Sequence, residues 1–407
     1  MLPVDDILEA LDLSRAEPGL GFLEALYSRF VSRVPFESAT KILRNAAVAD
    51  PAGKPRRPET FWQEHLASGA GGTCFARVAA FDTLLCELGF CARRVLGRVR
   101  VDFDHASLLV ERDGRRWICD AGYPLPAILP AALGEHPTPR GALRIETTDR
   151  GLSIEFSDEV PEGPRRIEIF TAPVSENEFE RRWRETFRPD ADFLAGVKLL
   201  VERDNRKISF GEGAVRVDDL HTRLTVPLPS PRPRRLSEIF GVDEALLAGA
   251  FAVVGDPEPA SPEASLTAYL ETEAAPEKAF GAIATPEGYR ALLTGVAQVC
   301  DPEPTAEGFR LRLTAPGGAP GQAGLEEEVA VDRRGLTLAV RRRAAASTSR
   351  SSFTAQKRDG KTYLIREALF TGAREDLLRN DALRGRLAGA LAVDLLAWAR
   401  LVSGSGT

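Results

Sequence analysis

The chain has 407 residues, of which 43% are hydrophobic and 28% charged, and a formal net charge of -6. That balance excludes a disordered chain and a nucleic-acid partner held by net charge, and the length predicts roughly two or three domains, each with a sizeable core. The five cysteines, Cys74, Cys86, Cys91, Cys119 and Cys300, form no CxxC pair or ladder, which excludes a disulfide framework and a zinc knuckle and leaves free thiols, with no metal and no tightly bound cofactor called for.

In chain order, MLPVDDILEALDLSR reads as an acidic amphipathic helix without the basic and apolar regions of a signal peptide. The most apolar stretches, Ala245 to Val254 and Leu387 to Val402, are too short or are interrupted by Asp394 and Arg400, whereas a span takes about 20 apolar residues. No membrane span and a cytoplasmic location are the expectation. Residues 1–92 read as a helical bundle: DDILEALDL, FLEALYSRFVSR, and CFARVAAFDTLLCELGF closed by Gly89. From Arg93 to 174 the texture changes to short β-rich runs, RRVLGRVRV, HASLLVERD, RRWICDAG, ALRIETTD, LSIEFSD and RRIEIFTA, which predict an antiparallel barrel or sandwich. Residues 175–254 mix a charged helix, SENEFERRWRETF, the strands of KLLVERDNRKISF and a helix ending near Phe251.

GDPEPASPEA, 255–264, has the proline and acid content of a linker. Beyond it, 265–407 reads as strand, two short helices, several strands and one closing helix from about Arg374 to Leu401. Leu383, Leu387, Leu391, Leu395 and Trp398 give that helix an apolar face suited to a core. The basic runs Arg232 to Arg235 and Arg341 to Arg343 are short and read as solvated surface. The fold class is therefore multidomain α+β.

GGTCF, 71–75, places a cysteine at a helix start. Thr73 can serve as N-cap, so Cys74 falls in the first turn, where orphan N–H groups and the helix dipole favour a thiolate. Gly71 and Gly72 put no side chain in front of the sulfur. Cys86 and Cys119, inside a helix and a strand, read as buried structural cysteines.

A nucleophilic thiol needs a base, and the chain has four histidines, His65, His105, His136 and His221. His105 opens the strand HASLLVERD, and Asp113-Gly114 is a strong hairpin signal before RRWICD. With those two residues as the loop, Arg112 faces Arg115 and Ser107 faces Asp120, so His105 sits one diagonal step from Asp120 on the same face. A slip of one residue would separate them. The pattern predicts Cys74 as nucleophile, His105 as base and Asp120 as orienter of the imidazole.

These segments resemble the arylamine N-acetyltransferases: RVPFES (33–38) is similar to the family's IPFEN, GGTCF to its RGGxCxE nucleophile motif, and HASLLVERDGRRWICDAGY (105–123) to the strands carrying its His and Asp. A weaker likeness continues to about residue 254. The resemblance implies a helical bundle carrying Cys74, a β-barrel carrying His105 and Asp120, and an α/β lid. It implies transfer of an acetyl or other acyl group from an acyl-CoA such as acetyl-CoA, through a Cys74 thioester, to an arylamine, hydrazine or hydroxylamine nitrogen. Phe36, Gly72, Thr73 and Phe75 of the matching motifs are the implied substrate contacts.

The chain departs from the family with Ala70 where the motif has Arg and Ala76 where it has Glu, so support for the nucleophile loop must be built differently. Residues 265–407 resemble a helix-grip or START-like fold, which implies a cavity for a hydrophobic ligand. Competing readings are an amide synthase or hydrolase using the same triad on another donor, and a binding protein with a degenerate site.

Overall fold

Apolar residues at helical spacing form α1 (Val4–Ala10), α2 (Leu20–Arg33), α3 (Ala39–Ala47), α4 (Pro58–Ser68) and α5 (Cys74–Glu87). The computed structural model describes residues 2–156, 166–293, 298–299, 302–314, 325–344, 347–358, 360–370 and 374–403. Helix α5 is buried on every side from Cys74 to Asp82, as its nearly uninterrupted apolar sequence requires. Phe30 of α2 stacks on Phe81 of α5 at 4.5 Å between ring centroids and meets Trp62 of α4 edge-on at 5.9 Å, so aromatic contacts tie the three helices together.

A two-residue strand, β1 (Phe36–Glu37), precedes the barrel strands β2 (Cys91–Arg98), β3 (Asp102–Arg112), β4 (Arg115–Cys119), β5 (Leu129–Pro130), β6 (Gly134–Thr138), β7 (Gly141–Thr147), β8 (Gly151–Phe156) and β9 (Arg166–Phe170). The last eight form one antiparallel sheet in the order β5-β4-β3-β2-β9-β8-β7-β6, a nearly closed barrel against which α5 packs through β2 and β3. Asp113 (φ 54°) and Gly114 (φ 70°) form the two-residue turn between β3 and β4. Arg112 pairs with Arg115 and Leu108 with Cys119, which is the register read from the sequence.

Next come α6 (Glu176–Glu185), the antiparallel strands β10 (Leu199–Arg203), β11 (Arg206–Gly211) and β12 (Ala214–Asp218), then α7 (Pro233–Phe240) and α8 (Glu244–Val254). β1 joins this second sheet on β10, with Phe36 opposite Leu200.

The chain divides into two units, Met1–Leu220 with Leu228–Ala260, and His221–Pro227 with Ser261–Thr407. The division falls inside 255–264, but β13 (Thr222–Pro227) goes with the second unit, so the segment expected to be a lid, 175–254, is not one continuous piece. Thr222 of β13 pairs with Ala268 of β14 (Ala264–Thr272), which explains the departure.

The second unit continues with α9 (Pro276–Gly281), α10 (Pro286–Leu292), β15 (Gln298–Val299), β16 (Glu303–Pro304), β17 (Gly308–Thr314), β18 (Leu325–Asp332), β19 (Thr337–Ala344), β20 (Ser347–Arg358), β21 (Lys361–Phe370), α11 (Arg374–Arg379) and α12 (Asp381–Ser403). Its sheet runs β13-β14-β21-β20-β19-β18-β17-β15, and α12 lies on β14 and β21. The closing helix is broken at Asn380, whose side-chain oxygen accepts from Leu383 N–H at 2.9 Å and starts α12 afresh.

Leu391, Leu395 and Trp398 are buried, and the rings of Tyr289, Phe309, Phe353 and Trp398 form one chain of contacts 5.8 to 6.0 Å apart. Trp398 donates its indole N–H to the Ala279 carbonyl at 2.8 Å. The basic runs are not plain solvated surface. Arg341, Arg342 and Arg343 lie opposite Glu328, Glu327 and Glu326, and Arg232 is fully buried, donating to the Leu228 carbonyl and pairing with Asp256. Cys119 is buried as expected, but Cys86 is exposed, because it sits on the outer side of the last turn of α5; Cys300 lies outside the described residues.

Candidate active site

Cys74 is the first residue of α5, and Thr73 occupies the N-cap position with extended backbone (φ -81°, ψ 176°). The Thr73 side chain makes no capping bond, which leaves the first-turn amides uncapped by it. The loop before it is held close to β1: Gly72 N–H donates to the Pro35 carbonyl at 3.3 Å and Glu37 N–H to the Gly72 carbonyl at 3.1 Å.

A Cβ on Gly71 would stand 1.7 Å from the Pro35 oxygen. The two glycines therefore serve close packing of the loop, not an open approach to the sulfur, and Gly72 itself is buried. Bracing absent from the motif at Ala70 comes from elsewhere in the chain. The buried guanidinium of Arg56 lies 4.6 Å from the Phe61 ring centroid, pairs with Glu64 and donates to the Gly71 carbonyl. His65 Nδ1 lies 3.0 Å from the Ala70 carbonyl, and burial pulls this histidine down to about 4, so it is neutral near pH 7 and donates there.

His105 and Asp120 are brought together by the β3–β4 hairpin. The His105 ring donates from Nε2 to Asp120 Oδ2 at 2.7 Å, with 2% and 0% of the two side chains exposed. Asp120 Oδ1 accepts from Gly122 N–H at 3.0 Å and Tyr123 N–H at 2.8 Å, which fixes the carboxylate plane. Burial pulls the His105 pKa down, but Asp120 and then Cys74 outweigh it and push the imidazole up to about 10. Cys74 lies beside the ring, since a Cβ on Gly122 would stand 3.0 Å from both Cys74 Cβ and His105 Cε1, and Nδ1 is the ring nitrogen not given to Asp120. The sulfur also lies 3.7 Å from the Asp104 carbonyl.

Two buried residues that the sequence reading passed over hold this arrangement. Tyr27 of α2 donates its hydroxyl to the Asp120 carbonyl at 2.9 Å and accepts from Leu125 N–H at 2.9 Å. Arg77, one turn into α5, donates to the Ala121 carbonyl at 2.7 Å and to the Val34 carbonyl, with its guanidinium 4.7 Å from the Phe30 ring centroid. An arginine on the cysteine's own face, three residues on in an otherwise apolar helix, was the available signal. No such signal marks Tyr27, whose partners are more than ninety residues away.

Of the implied substrate contacts, Phe36 lines a cleft of about 830 Å³ together with Gly122, Tyr123 and Phe193. Phe75 is core: it is fully buried against Phe179 and Trp183, because the second residue of α5 points away from the cleft into the α6 packing. Thr73 is 4% exposed.

Gly122 is where the pieces meet. A Cβ there would stand 2.1 Å from the Ala106 oxygen and 3.0 Å from both Cys74 Cβ and His105 Cε1. Gly122→Ala is therefore expected to lower kcat about 10²-fold by displacing the sulfur from the imidazole, with a drop of about 1 to 3 kcal/mol in stability read from denaturant melts. A variant that keeps wild-type turnover would show that this contact does not position the groups.

Comparison with known proteins bears on the same region. Residues 19–181 match the family described as N-acetyltransferase. A segment of 108 residues is 32% identical to the arylamine N-acetyltransferase of Escherichia coli K12, covering 25% of this chain and 36% of that relative. The chain thus spans about a third of the length of that curated relative. Among solved structures, the arylamine N-acetyltransferase from Salmonella typhimurium superposes with a TM-score of 0.53 at 19% identity, over 61% of this chain and 97% of that one. The Mycobacterium marinum enzyme in complex with CoA gives 0.52 at 18% identity, over 61% and 99%. The chain is thus similar over residues 19–181 to the N-acetyltransferase family, and over 61% of its length it shares the fold of a solved arylamine N-acetyltransferase.

Proposed function

We propose that the chain is an acyltransferase that moves an acetyl group from acetyl-CoA to an arylamine or hydrazine nitrogen through a thioester on Cys74. The observation that carries this reading is the buried His105–Asp120 hydrogen bond with Cys74 packed beside the same ring at Gly122, the imidazole being held up near 10 and therefore cationic. In the first half-reaction the Cys74 thiolate attacks the thioester carbonyl, the His105 imidazolium gives its proton to the departing CoA sulfur, and the acyl group remains on Sγ. In the second, the amine attacks that carbonyl, His105 takes the amine proton, and the C–S bond breaks to restore the thiolate. The uncapped first-turn amides of α5 are suited to stabilise the tetrahedral oxyanion.

The cleft lined by Phe36, Gly122 and Tyr123 also carries Arg100, Lys198 and Arg216, paired there with Asp192 and Glu212, and in this reading these three cations are the contacts for the phosphates of a coenzyme A donor. A cytoplasmic location is part of this reading; among the described residues no helix is long and apolar enough to cross a membrane. The second unit, with its strand, helices, further strands and long closing helix, is of helix-grip type in this reading. Its ring cluster puts side chains where a hydrophobic ligand would lie, so catalysis is assigned to the first unit alone.

Initial rates test the scheme. With acetyl-CoA and an arylamine varied together, double-reciprocal lines should be parallel; intersecting lines would mean direct transfer without an acyl-enzyme.

A further inference from the structure

The mechanism above gives Glu212 no role. It is the first residue of the two-residue turn between β11 and β12 and stands at φ 55°, followed by Gly213 at 77°. Such turns favour Asn, Asp or Gly at both places, so the turn itself gives no reason for a glutamate. A side chain kept in that backbone region at the rim of a cleft points to a role outside the turn. The Glu212 carboxylate lies 3.2 Å from Arg216 and 3.9 Å from Lys198, and so bridges two cations.

Glu212, Lys198 and Arg216 line the same cleft as Gly122, the residue packed against Cys74 and His105. The second sheet sets their place along it. Phe36 pairs with Leu200, Leu200 with Ser209 and Ser209 with Arg216, so the four form one row on one face, and all four line the cleft. The row starts where Phe36 is bridged to Gly72 beside the nucleophile and ends at Arg216, three strand spacings or about 14 Å away. Lys198, two residues before Leu200, shares that face. A thioester reacting at Cys74 therefore has an apolar stretch nearest the sulfur and the two cations at the far end, within reach of a pantetheine arm. A phosphate arriving there needs the cations that Glu212 already holds and is repelled by its carboxylate.

We propose that Glu212 is an exchange anion. It holds Lys198 and Arg216 while the cleft has no donor, yields them to the donor's phosphate, and takes them back as CoA leaves, which clears the cleft for the acceptor amine. The inference rests on the transfer reaction proposed above, and assigns to that site a residue that weakens phosphate-bearing donors and leaves phosphate-free ones alone.

The experiment compares wild type with Glu212→Gln and Glu212→Asn; asparagine suits the left-handed turn position, so that variant keeps the fold. Each is given acetyl-CoA and S-acetylpantetheine, which has the same arm and no phosphate. Both variants should raise kcat/KM for acetyl-CoA about fivefold and strengthen product inhibition by CoA to a similar degree, with kcat/KM for S-acetylpantetheine unchanged. A gain with acetyl-CoA that is missing from either variant, or that S-acetylpantetheine shares equally, overturns the proposal. If no transfer occurs with either donor, the proposed reaction fails, and calorimetry on the Cys74→Ala chain still decides this inference. There Glu212→Gln should tighten CoA binding about fivefold and leave pantetheine binding unaltered. No tightening of CoA, or the same tightening of pantetheine, overturns it.

Discussion

Replacing Cys74 by alanine should reduce acyl transfer by on the order of 10⁴-fold or more, to a level set by binding alone. The substitution keeps the Cβ that touches the Gly122 region and removes only Sγ, so the fold should survive. Near-UV circular dichroism and a melt like that of the wild type are expected alongside the loss. The lost rate then belongs to the chemistry and not to unfolding. Retention of transfer in Cys74→Ala would remove the nucleophile from the scheme.

Asp120→Asn should cost about 10⁴-fold in kcat, because the carboxylate fixes the imidazole orientation and answers its positive charge. The amide can still accept from Gly122 and Tyr123, so the loop after β4 should hold its shape. Its NH₂ would instead confront His105 Nε2 and force the wrong tautomer.

The same substitution has a signature in stability against pH. His105 is raised in the folded state to about 10, above its ordinary value of about 6.5, so its contribution is fully present below pH about 6.5. It is lost as pH rises through about 10. Melts between those limits should show this decline in the wild type, and a much weaker one in Asp120→Asn. A loss of turnover below tenfold, or an unchanged pH profile, would deny Asp120 its role.

The hairpin register was legible in the sequence because Asp113-Gly114 favours both positive φ values, and a two-residue loop at that point sets the pairs from Arg112 opposite Arg115 inward. The position of Cys74 at a helix start was legible from the apolar run that follows it. What sequence reasoning could not reach are contacts closed by tertiary structure. Arg56 reaches the Gly71 carbonyl, and Tyr27 reaches Asp120, through partners that no spacing rule links. Phe75 was misplaced because a residue beside a nucleophile at a helix start points to the cleft or to the core according to how α6 packs on it. Gly71 was misread for a related reason: absence of a side chain serves close approach as well as open access, and only the Pro35 carbonyl decides which. Asn380 is the reverse case, a capping residue visible in the sequence whose break was smoothed over by the apolar run around it.

The central claim is a covalent acyl-enzyme on one named sulfur, and intact-protein mass spectrometry after incubation with acetyl-CoA tests it directly. One acetyl group per chain is predicted, located on the peptide containing Cys74, released on addition of an arylamine and absent from Cys74→Ala. No adduct, or one that persists in Cys74→Ala, would contradict the account.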